Sequence, residues 1–325
     1  MRGQNLRKVT VADLVVAKNR LSQYLSKTPL VSSELLNIHL GGKVYLKLES
    51  LQPTGSYKIR GALNKSISLM EEHGNDVSTI TASSGNHGLS CAYAAKLLGM
   101  ESKVYVPVTT PQIKKDSIRA LGAQLVEIGA TYDESFIDAC KEAESSTTLN
   151  YVHPVSDVDV VAAQGTIGLE ILEQLEDVEQ ILIPLGGGGL SSGIAFAIKN
   201  MKPSVKVISV MPEGSDVYVK SREAGKLVEI EGPHSIADAV VRRCGEEYLF
   251  PYIEEYVDEI ITVTEDSIME AIKAAAVYGK VTLEGAGAMP LAAVLEDKAL
   301  LQKKTVLICS GGNIDANLFK DCINK

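Results

Sequence analysis

A lysine at the start of a predicted helix is the first residue whose setting suggests chemistry. Lys58 lies in the segment Glu49–Ala62 (ESLQPTGSYKIRGA), directly after Gly55, Ser56 and Tyr57. The partial positive charge at a helix N-terminus disfavours an ammonium group nearby. A lysine whose ammonium form is disfavoured becomes a nucleophilic amine. The sequence therefore makes Lys58 a candidate nucleophile, with an ordinary solvated lysine in a turn as the alternative.

A turn rich in polar side chains follows the next predicted strand. Thr81–Gly88 (TASSGNHG) supplies the hydroxyls of Ser83 and Ser84, the Asn86 amide and the His87 imidazole. Backbone N–H groups at a helix N-terminus bind carboxylate or phosphate. The same donors would also serve an ordinary capping turn, with Ser84 or Asn86 as the N-cap. We therefore expect an anion-binding turn, which helix capping does not exclude.

A run of four glycines forms the third segment, Leu185–Gly193 (LGGGGLSSG). One glycine is enough for a turn, whereas four leave bare backbone that can wrap around an anion. A dinucleotide-binding fingerprint fits poorly, because Ser191 would stand at its third glycine position, and the lysine of a P-loop is missing. We therefore predict a phosphate cradle. The fourth segment, Ser310–Asn313 (SGGN), follows the apolar run TVLIC and alone indicates only a turn.

Apolar runs typical of buried strands alternate with stretches of helical periodicity. The predicted strands are Lys43–Leu48, Thr79–Ala82, Val104–Val108, Gln124–Ile128, Gln180–Leu185, Lys206–Val210 and Thr305–Cys309. One predicted helix begins at Ile59. The others are His87–Leu98, Ile113–Leu121, Tyr132–Ala143, Gly165–Leu175, Leu190–Met201, Asp266–Tyr278 and Ala288–Glu296. This alternation predicts an α/β fold of two doubly wound open-sheet domains. A weak polar break at residues 145–152 (SSTTLNYV) is the best candidate for their boundary.

The composition excludes several classes of protein. The 325 residues are 45% hydrophobic and 22% charged, which is too apolar for a disordered chain. We expect no membrane span and no signal peptide, because apolar runs are short and the first residues, MRGQNLRKVTVADL, lack an apolar core. A net charge of −9 disfavours nucleic-acid and anionic-membrane partners. Five scattered cysteines without a C-x-x-C pair indicate reduced thiols and a cytoplasmic protein.

Taken together, the four segments resemble the pyridoxal-phosphate enzymes of the tryptophan synthase β-like fold, also called fold type II. The motifs S-x-K-x-R-G-A, S-S-G-N-H-G, tetraglycine and S-G-G-N occur in the family's order, and the chain is most similar to the threonine dehydratase and serine racemase branch. The resemblance covers nearly the whole chain, from Thr28 to Asp315. It implies a large cofactor-binding domain of residues 1–52 and 153–325, and a small substrate-side domain of residues 53–152. The cofactor is expected in the cleft between them.

The resemblance also implies roles for individual residues. Lys58 is the lysine expected to form the Schiff base with the cofactor. The other expected cofactor contacts are Tyr57 beside the ring, Asn86 at the 3′-hydroxyl, Gly186, Gly187, Gly188 and Gly189 with the Leu190 amide around the phosphate, and Ser310 facing the pyridine nitrogen. The loop that carries Ser83, Ser84, Asn86 and His87 is expected to hold the substrate carboxylate. Glu284, in the segment Leu283–Gly287 (LEGAG), is expected to pass near the ring.

The serine at position 310 bears on the reaction. A carboxylate there would keep the pyridine nitrogen protonated, whereas a hydroxyl cannot supply that charge. We therefore expect α,β-elimination from L-threonine or L-serine to a 2-oxo acid and ammonia, with the Lys58 amine as general base. The first alternative is a serine racemase with side dehydratase activity, because Ser84 matches the second acid–base residue of racemases. A non-catalytic binding protein on the same fold is a further alternative, which the intact Lys58 argues against.

Three departures from the racemase pattern stand out. No arginine lies around Ser135–Phe136. Arg242 replaces the serine that follows the aspartate of the Ile236–Ala239 run, which suggests 3-hydroxyaspartate as another candidate substrate, with a surface arginine as the plainer explanation. Met211 stands where relatives often carry a glutamate for a divalent cation, although Glu213 and Asp216 lie close by, so a cation stays an open question.

The resemblance further implies a homodimer. The chain ends about a dozen residues after S-G-G-N, so we expect no regulatory domain and no feedback control.

Overall fold

The strands of the computed structural model, which describes residues 3–325, form two separate sheets. In chain order the strands are β1 (Leu30–Val31), β2 (Val44–Leu48), β3 (Ser78–Ala82), β4 (Ser102–Val106), β5 (Gln124–Glu127), β6 (Leu149–Tyr151), β7 (Gln180–Pro184), β8 (Lys206–Pro212), β9 (Glu259–Val263) and β10 (Thr305–Cys309). One sheet has the order β1-β2-β10-β7-β8-β9 and the other the order β5-β4-β3-β6. Only the β1–β2 pair is antiparallel among these neighbours.

Helices connect the strands throughout the described chain. They are α1 (Val11–Leu21), α2 (Glu34–Leu40), α3 (Lys58–His73), α4 (Asn86–Leu98), α5 (Gln112–Ala120), α6 (Tyr132–Ser145), α7 (Val158–Gln174), α8 (Gly189–Met201), α9 (Val217–Ala224), α10 (Phe250–Tyr256), α11 (Glu265–Ala274), α12 (Gly285–Glu296) and α13 (Ala316–Asn324). Parallel strands need such crossovers, so this alternation confirms the predicted α/β class.

The chain divides into two compact units. Unit 1 contains the chain up to Leu25 and Lys58–Ala163, with the four-stranded sheet, and unit 2 contains Ser26–Tyr57 and Gln164–Lys325, with the six-stranded sheet. In unit 2 every residue of β7 and β10 is buried, as expected for central parallel strands covered on both faces. Their carboxyl ends run directly into the tetraglycine and S-G-G-N segments.

The bounds of these units differ from the predicted domain division in three places, the third being residues 53–57, which were predicted in the small domain and belong to unit 2. Residues up to Leu25, which we placed in the large domain, belong to unit 1, because Leu21 and Leu25 pack into an apolar cluster with Ile59 and Leu63 of α3. Residues 153–163 also belong to unit 1. The polar stretch 145–152 contains the buried strand β6, whose residues pair with Ser78–Ile80 of β3.

Most predicted elements are present with small shifts of their ends. The last strand, Thr305–Cys309, has the predicted bounds, and Gly99 ends α4 in a left-handed conformation as expected of a helix C-cap. The predicted helix Asp266–Tyr278 is instead α11 followed by a π-helical turn, Ala275–Gly279. None of the helices in residues 3–325 combines the length and hydropathy needed to cross a membrane.

Candidate functional site

Lys58 is the first residue of α3, in unit 1. Its amine Nζ donates a hydrogen bond of 2.8 Å to the carbonyl oxygen of Pro154, in the loop between β6 and α7. The side chain is only partly exposed. The structure therefore places the predicted nucleophile at a helix N-terminus, with its amine held by a backbone acceptor.

The turn with the two serines lies between β3 and α4 of unit 1. Ser83, Ser84 and Asn86 are partly exposed. Helix α4 begins at Asn86, and its N-cap is Gly85, which has no side chain that could accept a hydrogen bond. The expectation that Ser84 or Asn86 caps the helix is therefore wrong. The N-cap residue of α4 supplies no side-chain hydrogen bond to the helix, and such a helix N-terminus is suited to a carboxylate.

His87 is buried in the first turn of α4 and carries no charge at neutral pH. Burial, reinforced by the charge of Lys58, lowers the pKa of the imidazole to about 3. Its Nε2 lies 2.9 Å from the carbonyl oxygen of Val152, which can only accept, so Nε2 carries the proton. His87 therefore orients the turn and does not exchange protons near neutral pH.

The tetraglycine segment of unit 2 lies between β7 and α8. Gly186–Gly189 are all buried, and Gly188 is the N-cap of α8 with a φ of +96°. A Cβ atom on Gly186 would lie 2.7 Å from the Cα of Val240, so a side chain does not fit there. Tyr218 supports the loop from behind, because its hydroxyl donates to the Gly187 carbonyl at 3.2 Å. The geometry fits a phosphate held by bare backbone N–H groups.

The sequence analysis did not select one residue near this loop as a candidate. Ser192, in the first turn of α8, is buried, and its hydroxyl has no hydrogen-bond partner within residues 3–325. Its backbone N–H donates to the carbonyl of Gly188 at 2.8 Å. A buried polar group without a partner is rare in proteins and is compatible with a bound polar group. Its place in the S-S-G run after the glycines is the signal that could have revealed it.

The S-G-G-N loop pairs with the segment just before Lys58. Ser56 and Gly311 form an antiparallel bridge, and the Tyr57 N–H donates to the Ser310 carbonyl at 3.0 Å. The Gly312 N–H donates to the carbonyl of Gly55 at 2.9 Å. Two motifs more than 250 residues apart in sequence thus form one backbone-paired structure in unit 2, in which Ser310 is 2% exposed.

Glu284 and Tyr57 lie beside this pair of loops. Glu284 is buried, and its N–H donates to the Gly311 carbonyl at 3.1 Å. Burial raises the pKa of the Tyr57 hydroxyl above its usual range, the charge of Arg242 opposes that rise, and Glu284 adds to it. The phenol is therefore neutral at physiological pH.

The two neighbouring arginines have different surroundings. Arg242 is partly buried, its N–H donates to the Ser215 hydroxyl at 3.0 Å, and its guanidinium donates to the Val241 carbonyl at 2.8 Å. Arg243 is exposed and pairs with Glu229 at 3.0 Å. The plainer explanation, a surface arginine, therefore describes Arg243, whereas the charge of Arg242 acts on buried tyrosine hydroxyls.

The remaining positions have partners or surroundings within the fold. Ser135 is buried, and its hydroxyl donates to the Ile128 carbonyl at 2.7 Å. Met211 is fully buried in β8, and Asp216 pairs with Lys220 at 2.8 Å. Within residues 3–325 no group of three His, Cys, Asp or Glu side chains is placed to share a metal ion.

Known proteins similar to this chain agree with these features. The chain is 40% identical over 317 residues to an L-threonine ammonia-lyase of Thermotoga maritima, an alignment that covers 98% of this chain and 79% of the relative. Solved structures include maize serine racemase, with a TM-score of 0.90, 31% identity and 98% of each chain covered. A pyridoxal 5′-phosphate-dependent aspartate racemase has a TM-score of 0.87 and 33% identity, with 95% of this chain and 97% of that chain covered.

A family model described as pyridoxal-phosphate dependent enzyme matches residues 21–311. This match spans most of the chain and includes Lys58, the S-S-G-N-H-G turn, the tetraglycine loop and Ser310. The chain therefore belongs to the pyridoxal-phosphate dependent enzymes.

Proposed function

We propose that this protein converts a hydroxy amino acid, L-threonine or L-serine, to a 2-oxo acid and ammonia by α,β-elimination of water followed by hydrolysis. The observation that carries the proposal is the hydrogen bond between Tyr57 and Ser310. This hydrogen bond joins Ser310, which carries a hydroxyl and not a carboxylate, to the segment that leads into Lys58. Similarity to a threonine ammonia-lyase at 40% identity supports the same reaction.

Each residue then has a defined task. Bound pyridoxal phosphate supplies an electron sink for the bond broken at the α-carbon. Lys58 bonds the cofactor and, once its amine is free, takes the α-proton as general base. The N–H groups of Gly186–Leu190 would hold the cofactor phosphate, and Tyr57 would pack beside the ring. Asn86 would donate to the ring 3′-hydroxyl, and the Ser310 hydroxyl would serve the pyridine nitrogen without giving it a charge.

The polar turn of unit 1 holds the amino-acid carboxylate. Ser83, Ser84 and Asn86 supply side-chain and backbone donors at the uncapped N-terminus of α4, and neutral His87 fixes the turn on Val152. The α-proton would move to Lys58, and the β-hydroxyl would take up one proton as it leaves, so that the α-proton and the hydroxyl are lost together as one water. The remaining unsaturated amine takes up water and releases ammonia, so the overall change from threonine is to a 2-oxo acid plus ammonia.

A panel of amino acids tests this reaction. L-threonine, L-serine, D-serine and 3-hydroxyaspartate are incubated with the cofactor-loaded protein, and 2-oxo acid, ammonia and the chirality of the residual substrate are measured. Equal amounts of 2-oxo acid and ammonia from L-threonine or L-serine support the proposal. Release of neither product from any of the four substrates rejects it.

A racemase is the second candidate function. Ser84 is partly exposed in the same turn as Asn86, and maize serine racemase superposes with a TM-score of 0.90. A serine hydroxyl opposite the lysine could return a proton to the other face of the substrate. D-serine formed from L-serine in the same panel supports this activity, and its absence at every time point rejects it.

Arg242 supports 3-hydroxyaspartate as a further candidate substrate. Its guanidinium is partly buried, and its charge acts on Tyr57, the proposed neighbour of the cofactor ring. A guanidinium recognises a second carboxylate through two parallel hydrogen bonds. A higher kcat/KM for 3-hydroxyaspartate than for L-threonine supports this assignment.

We also propose a cytoplasmic homodimer with no nucleic-acid or membrane partner. Light scattering during gel filtration tests the dimer, since a monomeric mass at micromolar concentration rejects it.

A further inference from the structure

Helix α3 contacts the loop of residues 153–157 through one hydrogen bond and one ion pair, and this loop precedes α7 in unit 1. At the start of the helix, Lys58 Nζ donates to the Pro154 carbonyl at 2.8 Å. Seven residues later, Lys65 Nζ lies 2.9 Å from Oδ2 of Asp157. Seven residues are about two helical turns, or roughly 10 Å, so both lysines lie on nearly the same face of α3. The loop therefore runs alongside the helix and meets it at both points.

The 153–157 loop has a fixed internal shape. The Nδ1 atom of buried His153 accepts hydrogen bonds from the N–H groups of Val155 at 3.2 Å and Ser156 at 2.7 Å. Local side-chain-to-backbone hydrogen bonds of this kind restrict the backbone of the turn that they close. Pro154 and Asp157 thus lie at the two ends of one restricted turn.

Asp157 is the point at which the loop is anchored. Its side chain is fully buried, and that of Lys65 is only 4% exposed. Oδ2 also accepts from the N–H of Asn5 at 2.8 Å, and Oδ1 accepts from the N–H of Asp159 at 2.8 Å. Lys65 Nζ also lies 3.3 Å from Oδ2 of Asp159, so this buried ammonium is held between two carboxylates. Moving a buried charge away from its partners is costly, because it leaves that charge uncompensated. This arrangement fits an element that must be held in one place.

We infer that Lys65 and Asp157 are positioning residues for the Lys58 amine. They hold the Pro154 carbonyl where it accepts a hydrogen bond from Nζ whenever Lys58 is not bonded to the cofactor. A free lysine side chain has about 2 kcal/mol of rotamer entropy, so an unfastened amine would spend much of its time elsewhere. A neutral amine that donates one N–H to a carbonyl keeps its lone pair free to attack or to accept a proton.

This inference rests on the proposed role of Lys58, so the test keeps the two apart. The full-length variants are Asp157→Asn, the double variant Lys65→Met with Asp157→Asn, and Lys58→Ala. The double variant leaves no buried charge unpaired, so it remains informative if Asp157→Asn fails to fold. The matched control is Glu71→Gln, which removes an exposed carboxylate from the same helix, where it pairs with Arg20.

Two measurements are made on each variant. The first is the rate at which the lysine–cofactor absorbance band forms when the cofactor-free chain is mixed with pyridoxal phosphate. The second is kcat and KM with L-threonine. We expect the band to form about tenfold more slowly in Asp157→Asn and in the double variant, because misplacing a reacting group slows its reaction. We expect kcat to fall with it while KM stays within about twofold, since substrate binding is untouched.

The outcomes separate the two proposals. A folded double variant that forms the band at the parent rate overturns the positioning role of Lys65 and Asp157. An absorbance band that persists in Lys58→Ala overturns the assignment of Lys58 itself. A Glu71→Gln variant as slow as Asp157→Asn also overturns the inference, because loss of an exposed carboxylate outside the 153–157 loop would then have the same effect.

Discussion

The backbone N–H of Tyr57 donates to the carbonyl of Ser310 across 3.0 Å, and this bond joins the two loops proposed to flank the cofactor ring. The neighbouring Ser56–Gly311 bridge and the Gly312-to-Gly55 hydrogen bond extend the pairing. The backbone of Ser310 is therefore joined to the segment that leads directly into Lys58.

Gly287→Ala tests this pairing. A Cβ at Gly287 would lie 2.4 Å from the Gly311 carbonyl oxygen, so the S-G-G-N loop must move. Alanine usually stabilises a helix relative to glycine, but here we expect a loss of about 1–3 kcal/mol from overpacking. Urea unfolding and equilibrium binding of the cofactor measure the effect. Gly279→Ala is the control, because the nearest atom to its Cβ lies 3.5 Å away. Equal cofactor affinity in the two variants would contradict the coupling.

Lys58→Ala should lose the visible lysine–cofactor band and the release of 2-oxo acid together. The reason is that one amine both bonds the cofactor and takes the α-proton, so no residual covalent attachment is expected. Absorbance spectra of the purified variant and a 2-oxo acid assay check this. Lys27→Ala, which removes an exposed lysine paired with Glu173, should behave like the parent. A Lys58→Ala protein that turns over at more than a trace level refutes the assignment.

Ser310→Asp should lower elimination by at least about tenfold while Ser310→Ala lowers it less. A carboxylate at this buried position would hold a proton on the ring nitrogen and stabilise a different distribution of charge in the substrate. Glu284 already lies against the same loop, so the new charge also meets a like charge. Initial rates of 2-oxo acid release from L-threonine decide the matter. If Ser310→Asp matches the parent, the hydroxyl has no influence on the reaction.

The buried His87 should make stability depend on pH. Its folded pKa of about 3 lies below the ordinary histidine pKa of 6.5. The unfolded chain therefore binds a proton between these values that the folded chain does not, and stability falls as pH decreases through this window. The slope is roughly 1.4 kcal/mol per pH unit for one proton. Urea unfolding at several pH values from 4.5 to 8 measures it. His87→Gln should flatten the slope, and an unchanged slope would place the lost stability elsewhere.

Arg242→Ala should change substrate preference, and Arg243→Ala should not. The first arginine is partly buried with its charge acting on Tyr57, whereas the second is exposed and pairs with exposed Glu229, an arrangement worth little energy. We expect Arg242→Ala to lower kcat/KM for 3-hydroxyaspartate by at least about tenfold relative to L-threonine, which is the usual cost of a lost charged hydrogen bond. A preference for threonine that is the same in both variants would end the dicarboxylate assignment.

Sequence patterns predicted the local elements well where burial is uniform. Strand β10, with five buried residues, has the predicted bounds, and β7 differs by one residue. The same patterns missed β6, because Leu149–Tyr151 follows a polar run and contains Asn150. They also missed α1, in which Val15 and Val16 are exposed, so its apolar residues do not mark one buried face. In both cases the partner that buries the segment lies far away in the chain.

The amino-acid order alone therefore indicated the α/β class and the family, and it predicted four candidate ligand loops, since these depend on local residue types and short spacings. It could not establish that Tyr57 forms a hydrogen bond with Ser310, or that Lys58 forms one with Pro154. It also could not establish the ion pair between Asp157 and Lys65. Nor could it show that His87 is neutral or that Arg242 and Arg243 face different surroundings. These properties depend on burial and on contacts between residues that are far apart in the sequence. Desolvation and nearby charges act through space, so short sequence spacings do not predict them.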